Sequence, residues 1–384
     1  MSPPMSIVPA SAAVTVVVVR SAIASSCSDR LWPNCRRTSR YDASMKLGLN
    51  LPYEGSLSFA EAVELAQRAE ALGYESLWMP EAYGTDAVSI LGGLAARTQR
   101  IHLGTGIVNV FSRTPALLAQ TAATLDLISG GRFILGLGTS GYQVVTGWHG
   151  MAFDRPLLRM RETIAIVRQV LRRDRLLFDG QVFQLDKGLK LLSHPVRETV
   201  PIYLATLTSG GLRLTGELAD GWIPTLFSPE HMDLFRPELE AGARIAGRSV
   251  DSIAIAPHVP VSIDDDRARA REALKPWVAL YVGGMGSKTK NFYNDLVSKY
   301  GFADDARTLQ ELYLGGKQLE AIRQVPDALV DAISVAGPAS YVRERLEIWA
   351  TAGVTTLLAS VHGKTQANRL RTLEILAAAA DAVH

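Results

Sequence analysis

From Met45 onward, short apolar runs alternate with longer segments whose apolar positions recur every three or four residues. The first pattern predicts buried strands and the second amphipathic helices. Strands are predicted at Lys46 to Leu51, Ser76 to Met79, Ile101 to Val108, Phe133 to Leu137, Pro201 to Leu204, Gly221 to Thr225, Ile253 to Val261 and Thr355 to Val361. Helices are predicted between them. Ser58-Phe59-Ala60-Glu61 reads as a capping box ahead of the stripe Ala62, Leu65, Ala69, Leu72. Further helices are expected over Asp86 to Arg97, Pro115 to Ile128, Pro156 to Arg173, Gly211 to Leu218, Pro229 to Ala246, Asp264 to Tyr281, Pro338 to Ala352 and Thr365 to Val383. Two stretches break the rhythm. Phe178 to Leu185 reads as a hairpin with a tight Asp179-Gly180 turn, and about 283–326 reads as a large insert before the eighth strand. Sequential strand–helix units of this kind predict an α/β fold, a (β/α)8 TIM barrel over 45–384. A doubly wound open sheet is the alternative.

Active sites of parallel barrels form where strands end. Ser129-Gly130-Gly131 makes a turn, Phe133 to Leu137 a strand, and Gly136-Leu137-Gly138-Thr139-Ser140-Gly141 a glycine-rich loop. The Gly-x-Gly-x-x-Gly spacing falls after three earlier strand–helix pairs, which fits a barrel-mouth loop better than a dinucleotide fingerprint. The other strand ends read Asn50-Leu51-Pro52-Tyr53, Pro80-Glu81-Ala82-Tyr83, Gly104 to Asn109, and Ala205-Thr206-Leu207-Thr208-Ser209-Gly210-Gly211. This set is small, hydroxylic and rich in bare backbone. It has no paired acids, no Ser–His–Asp constellation and no metal-ligand spacing. Such a mouth suits a large polar cofactor that brings its own reactivity.

The composition of the 384 residues, 47% hydrophobic and 20% charged, is ordinary for a globular chain. A formal net charge of +2 argues against nucleic-acid binding by bulk charge. No run of eighteen apolar residues suggests a membrane span. Residues 1–44 differ in texture, and read as a disordered extension, a signal peptide or an added element; Met45 would then be an alternative start. Both cysteines, Cys27 and Cys35, fall in this segment, so no disulfide framework or thiol nucleophile serves the main fold. A cytoplasmic location is expected.

Three separated motifs resemble the luciferase-like monooxygenase superfamily: Ile101-His102-Leu103-Gly104-Thr105-Gly106-Ile107, Thr124-Leu125-Asp126-Leu127-Ile128-Ser129-Gly130-Gly131-Arg132-Phe133, and Glu217-Leu218-Ala219-Asp220-Gly221-Trp222. Gly138 to Gly150 and Gly284-Met285-Gly286 leading to Asn291-Phe292-Tyr293 are similar to its coenzyme F420-dependent branch, which includes methylenetetrahydromethanopterin reductase. The resemblance implies a deazaflavin across the barrel mouth and a cis peptide at Gly106–Ile107 supporting its ring. It places Glu81 near the ring, where it is the candidate proton donor. Gly138 and Ala205 would bind the cofactor, Thr139 and Ser140 would meet its ribityl or phosphate part, and Thr206, Leu207, Ser209, Gly210 and Gly211 the phosphate. Asn109 either touches ligand or holds the bulge. His102 and Asp220 read as structural. Arg113, Lys288 and Lys290 are candidates for a basic rim facing the cofactor's glutamate tail. The activity implied is hydride transfer between F420 and an imine, carbonyl, alcohol or activated alkene. An FMN-dependent monooxygenase and a non-catalytic F420-binding barrel are the alternatives. Kinship also implies a homodimer.

Overall fold

The computed structural model describes residues 45–53, 56–286 and 291–382. The expectations for 1–44, with Cys27 and Cys35, and for Lys288 and Lys290 fall outside them. The chain opens with β1 (Lys46–Asn50), α1 (Phe59–Ala71), β2 (Ser76–Met79) and α2 (Ala87–Ala95). Next come β3 (His102–Thr105), β4 (Val108–Asn109), α3 (Pro115–Ser129), β5 (Phe133–Gly138) and α4 (Pro156–Leu171). A hairpin, β6 (Leu176–Asp179) and β7 (Gln184–Leu189), precedes β8 (Ile202–Ala205), α5 (Ser209–Leu218), β9 (Gly221–Trp222) and α6 (Arg236–Ile245). The last part holds β10 (Ala254–Ile255), β11 (His258–Ile263), α7 (Arg267–Glu272), α8 (Lys275–Ala279), α9 (Phe292–Val297), α10 (Ala303–Leu314), α11 (Gln318–Gln324) and α12 (Asp327–Ile333). It closes with β12 (Val335–Gly337), α13 (Ala339–Thr351), β13 (Thr356–Val361) and α14 (Gln366–Asp381).

Every pairing in the main sheet is parallel, and its order is β10-β9-β8-β5-β3-β2-β1-β13-β11-β12. Only Ala256 and Pro257 separate β10 from β11, so the sheet curls until its two flanks meet on one interrupted strand. There the His258 N–H donates to the Pro224 carbonyl at 2.9 Å. Inside the curl Trp78, Ile134, Ile223, Ala256 and Leu358 form one buried cluster, with Ile107, Tyr203 and Ala205 packed on it. A second, larger apolar layer lies between the sheet and its helices. Each large side chain so removed from water contributes roughly 1.5–3 kcal/mol against chain entropy.

Several boundaries differ from the sequence reading. The expected third strand breaks at Gly106–Ile107, leaving β3 and β4 both paired to β5. The hairpin has no two-residue Asp-Gly turn. Its loop runs from Gly180 to Phe183, and the Glu162 carboxylate from α4 accepts the Gln181, Val182 and Phe183 N–H groups at 2.8–3.0 Å. Two predicted helices are each divided near a proline that lacks an N–H. Pro237 starts α6 after the turn at Pro229–Leu234, and Pro276 starts α8 apart from α7. The stretch expected as an insert is mostly helical, as α9, α10 and α11, and α12 and β12 follow without having been foreseen.

Candidate cofactor and active site

The break in the third strand organises the mouth. The Gly106–Ile107 peptide is cis, as the resemblance implies. Gly106 N–H donates to Met79 O at 2.8 Å, and Ile107 O accepts from Glu81 N–H at 3.2 Å. Neighbouring β5 grips the break from below: the Thr105 hydroxyl donates to Gly136 O and accepts from Gly136 N–H, both at 2.8 Å. Gly136 has to be bare, because a Cβ there would run into the Thr105 carbonyl oxygen. At Gly138 a Cβ would lie 2.8 Å from Ile107 Cδ1, so its absence lets the isoleucine lie over β5. Ile107 and Ala205, half-buried on the inner cluster, are the apolar floor of the mouth.

Glu81 follows β2 and is only 10% exposed. Its two oxygens take the Arg113 guanidinium at 2.5 and 2.9 Å, and Oε2 also accepts the Ala87 N–H at 3.1 Å. Arg113 further pairs with Asp86, the N-cap of α2, at 2.6 Å. The hydrogen bond to Glu81 heads the influences that raise the Arg113 pKa. These contacts tie Glu81 to Arg113 and to the start of α2. Arg113, for its part, is spent on Glu81 and Asp86 instead of forming a free basic rim.

Asn109 is fully buried. Its Oδ1 accepts the Phe111 and Ser112 N–H groups at 2.9 and 2.7 Å, and Nδ2 meets His149 Nε2 at 3.3 Å. Of its two readings, holding the bulge is the one the geometry favours. Thr139 and Ser140 lie half-buried at the end of β5, Ser140 with a left-handed φ of 58°. Beside them the exposed Tyr142 precedes a π-helical turn at Val144–Trp148, which ends on the exposed Trp148.

The loop from Ala205 to Gly211 divides by burial. Thr206 points inward, its hydroxyl 2.8 Å from that of Thr215, while its carbonyl accepts from Trp222 Nε1. Gly211 is buried under Thr206 and Thr208. Leu207 is half-buried, and Ser209 and Gly210 are exposed in the first turn of α5. Thr208, a cap the sequence reading passed over, accepts the Gly211 N–H. The N–H groups of Ser209 and Gly210 have no partner inside the helix and point where an anion is stabilised. An apolar floor, a hydroxyl-lined edge and a helix N-terminus fit a flat ring that trails a hydroxylated, anionic chain. Asp220 proves structural, accepting the Ile202 N–H at 2.8 Å, and His102 Nδ1 lies 3.2 Å from Glu75 O.

The opposite flank carries polar groups that the sequence reading missed. Asn50 Nδ2 donates to Ser360 Oγ at 2.8 Å, and His258 Nε2 lies 2.5 Å from the same oxygen. The available signal was a lone polar residue at an inward position of otherwise apolar strands, as in Ala-Pro-His-Val-Pro-Val and Leu-Leu-Ala-Ser-Val.

A parallel curled sheet with this broken third strand and glycine-lined mouth defines a class, and the chain belongs to the luciferase-like monooxygenase family, whose model matches residues 45–356. It is 38% identical to a candidate coenzyme F420-dependent oxidoreductase of Mycobacterium tuberculosis, Rv3520c, over 86% of this chain and 99% of the other. It is 30% identical to the 5,10-methylenetetrahydromethanopterin reductase of Archaeoglobus fulgidus, over 82% and 93% of the two chains. Among solved structures, the F420-dependent tetrahydromethanopterin reductase of Methanopyrus kandleri superposes with a TM-score of 0.76 at 27% identity, covering 87% of this chain and 98% of that one.

Proposed function

We propose that the protein is an F420-dependent oxidoreductase that passes a hydride between the deazaflavin and a small organic substrate. The observation that carries the reading is the pairing, at adjacent strand ends, of the Ile107–Ala205 floor with the exposed Ser209–Gly210 turn of α5. The relative and the solved structure whose names carry F420 support it. In this reading the curl is an eight-stranded (β/α)8 barrel, with β3–β4 and β10–β11 each counting as one strand. Gly106 and Ile107 lie under the ring, Gly138, Thr139 and Ser140 beside the ribityl chain, and Ala205, Leu207, Ser209 and Gly210 toward the phosphate. Asn109, Thr206 and Gly211 hold these loops from beneath. When bound, the cofactor supplies the hydride. The chain orients it, excludes water and positions the substrate.

The test is a fluorescence and absorbance titration of the purified protein with F420 and with FMN. Saturable F420 binding, with FMN at least about tenfold weaker, is expected. FMN retention without F420 binding would defeat the proposal. Placing a carboxylate in the phosphate turn, as Gly210→Asp, should weaken F420 binding by about tenfold through charge repulsion alone. The homodimer stays part of the proposal; Leu117 and Ile128 are exposed on α3, and light scattering decides it.

A further inference from the structure

The inner face of the curl changes character at its last layer. Gly48 and Leu358 pair across β1 and β13, and Leu358 belongs to the inner apolar cluster. Asn50 and Ser360, two residues on, therefore face the same way one layer higher. His258 pairs with Leu358 in register and faces inward too. Asn50 is 5% exposed, and its Oδ1 lies 3.4 Å from where a Gly106 Cβ would be. The trio thus borders the break that carries Ile107. It belongs to strands three and more removed from β5, in the order β5-β3-β2-β1-β13-β11. Trp277 stands edge-on to the His258 ring, with centroids 5.6 Å apart and planes at 83°. Tyr281 lies against Trp277 at 4.4 Å, and Tyr293 closes the row at 5.0 Å from Tyr281.

A polar trio on an apolar plug, with Asn50 buried and Ser360 and His258 half-buried, implies a polar partner from above. Ser360 Oγ accepts from Asn50, so its own proton can go to His258 Nε2 or turn to an incoming carbonyl oxygen. When it turns away, Nε2 is left to accept from a hydroxyl. Burial lowers His258 and His362 to about 4, so both are neutral at pH 7.

Resting on the reading of this mouth as the redox site, we propose that Asn50, Ser360 and His258, walled by Trp277, seat the oxygen-bearing planar part of an uncharged substrate. The site then takes aryl or conjugated carbonyl compounds and the corresponding alcohols. It rejects carboxylates, which would lie desolvated beside neutral groups.

The test uses the full chain with its histidine side chains labelled with ¹⁵N, observed by NMR without cofactor, and probed with acetophenone, 1-phenylethanol and 4-acetylbenzoate. The His258 signals are identified by their loss in His258→Asn. Acetophenone and 1-phenylethanol are expected to shift them saturably, and 4-acetylbenzoate to bind at least about tenfold more weakly. Ser360→Ala should weaken acetophenone binding about tenfold and leave the F420 titration within about twofold. If that variant loses F420 affinity as well, Ser360→Cys, nearly isosteric and a poor donor, carries the same expectation. His258 signals indifferent to both neutral probes, a carboxylate that binds as well as the ketone, or unchanged affinity after loss of the hydroxyl would each overturn the proposal. F420 failing to bind while the probes still move His258 would remove the cofactor reading and leave this one standing.

Discussion

Glu81 illustrates how a residue's neighbours decide its chemistry. After β2 the sequence offers a single carboxylate at a strand end, which alone suggests a catalytic acid. Folding brings Arg113 from beyond β4 onto both of its oxygens, and the two side chains are 10% and 16% exposed. Glu81→Gln leaves Asp86 as the carboxylate paired with Arg113 and should lower stability by about 1–3 kcal/mol, less than for a fully buried pair. Urea denaturation reads this directly. His258 and His362 give a second consequence at the same scale. Their values near 4 lie below the ordinary 6.5, so between those limits the unfolded chain holds more protons than the folded one. The stability they contribute is complete above pH 6.5 and is lost as pH falls toward 4. The loss is on the order of 3 kcal/mol for each histidine at most. Denaturation at pH 7 and pH 4.5 should show a smaller drop for the doubly substituted chain His258→Asn, His362→Asn than for the native sequence; equal drops would sink the argument.

At the level of elements, the join from α3 to β5 sets the mouth. Gly130 ends α3 with φ 67°, and the fully buried Asp126 accepts the Phe133 N–H at 3.2 Å and the Arg197 guanidinium, Nε lying 3.1 Å away. Arg132 adds donations to the Ala95, Thr98 and Ile101 carbonyls. This fixes where β5 begins and hence where Gly136 meets Thr105. Asp126→Ala strands the Arg197 charge and should cost about 3–5 kcal/mol, seen as a lower urea midpoint. Gly136→Ala should cost about 1–3 kcal/mol by overpacking, and F420 affinity should fall with it because Ile107 moves. The strands and most helices were legible in the sequence, since their apolar periodicity records the burial they reach. Glu61 with Ser58 marked a helix start that the structure keeps, and the helix predicted from Pro115 begins there. What could not be read depended on partners distant in sequence: the Glu162 clamp on the hairpin loop, the Arg113 pair, and the Asn50–Ser360–His258 trio, in which Asn50 and Ser360 are 310 residues apart.

At the scale of the whole molecule, the question is where the self-sufficient unit begins. Lys46 N–H donates to Thr355 O, and β1 sits between β2 and β13, so the first described strand is already central in the sheet. The described residues from 45 onward form one compact unit, and the family match starts at residue 45. The floor, the α5 turn and the polar trio all come from strand ends between Asn50 and Ser360. A chain begun at Met45 should therefore melt within about 2 °C of the full sequence, since a loss of only 1 kcal/mol already moves a domain of this size by about that much. It should also bind F420 with the same affinity. A larger fall in melting temperature, or a weakened titration, would mean that residues 1–44 contribute to the fold or to the site, and the boundary at Met45 would have to be abandoned.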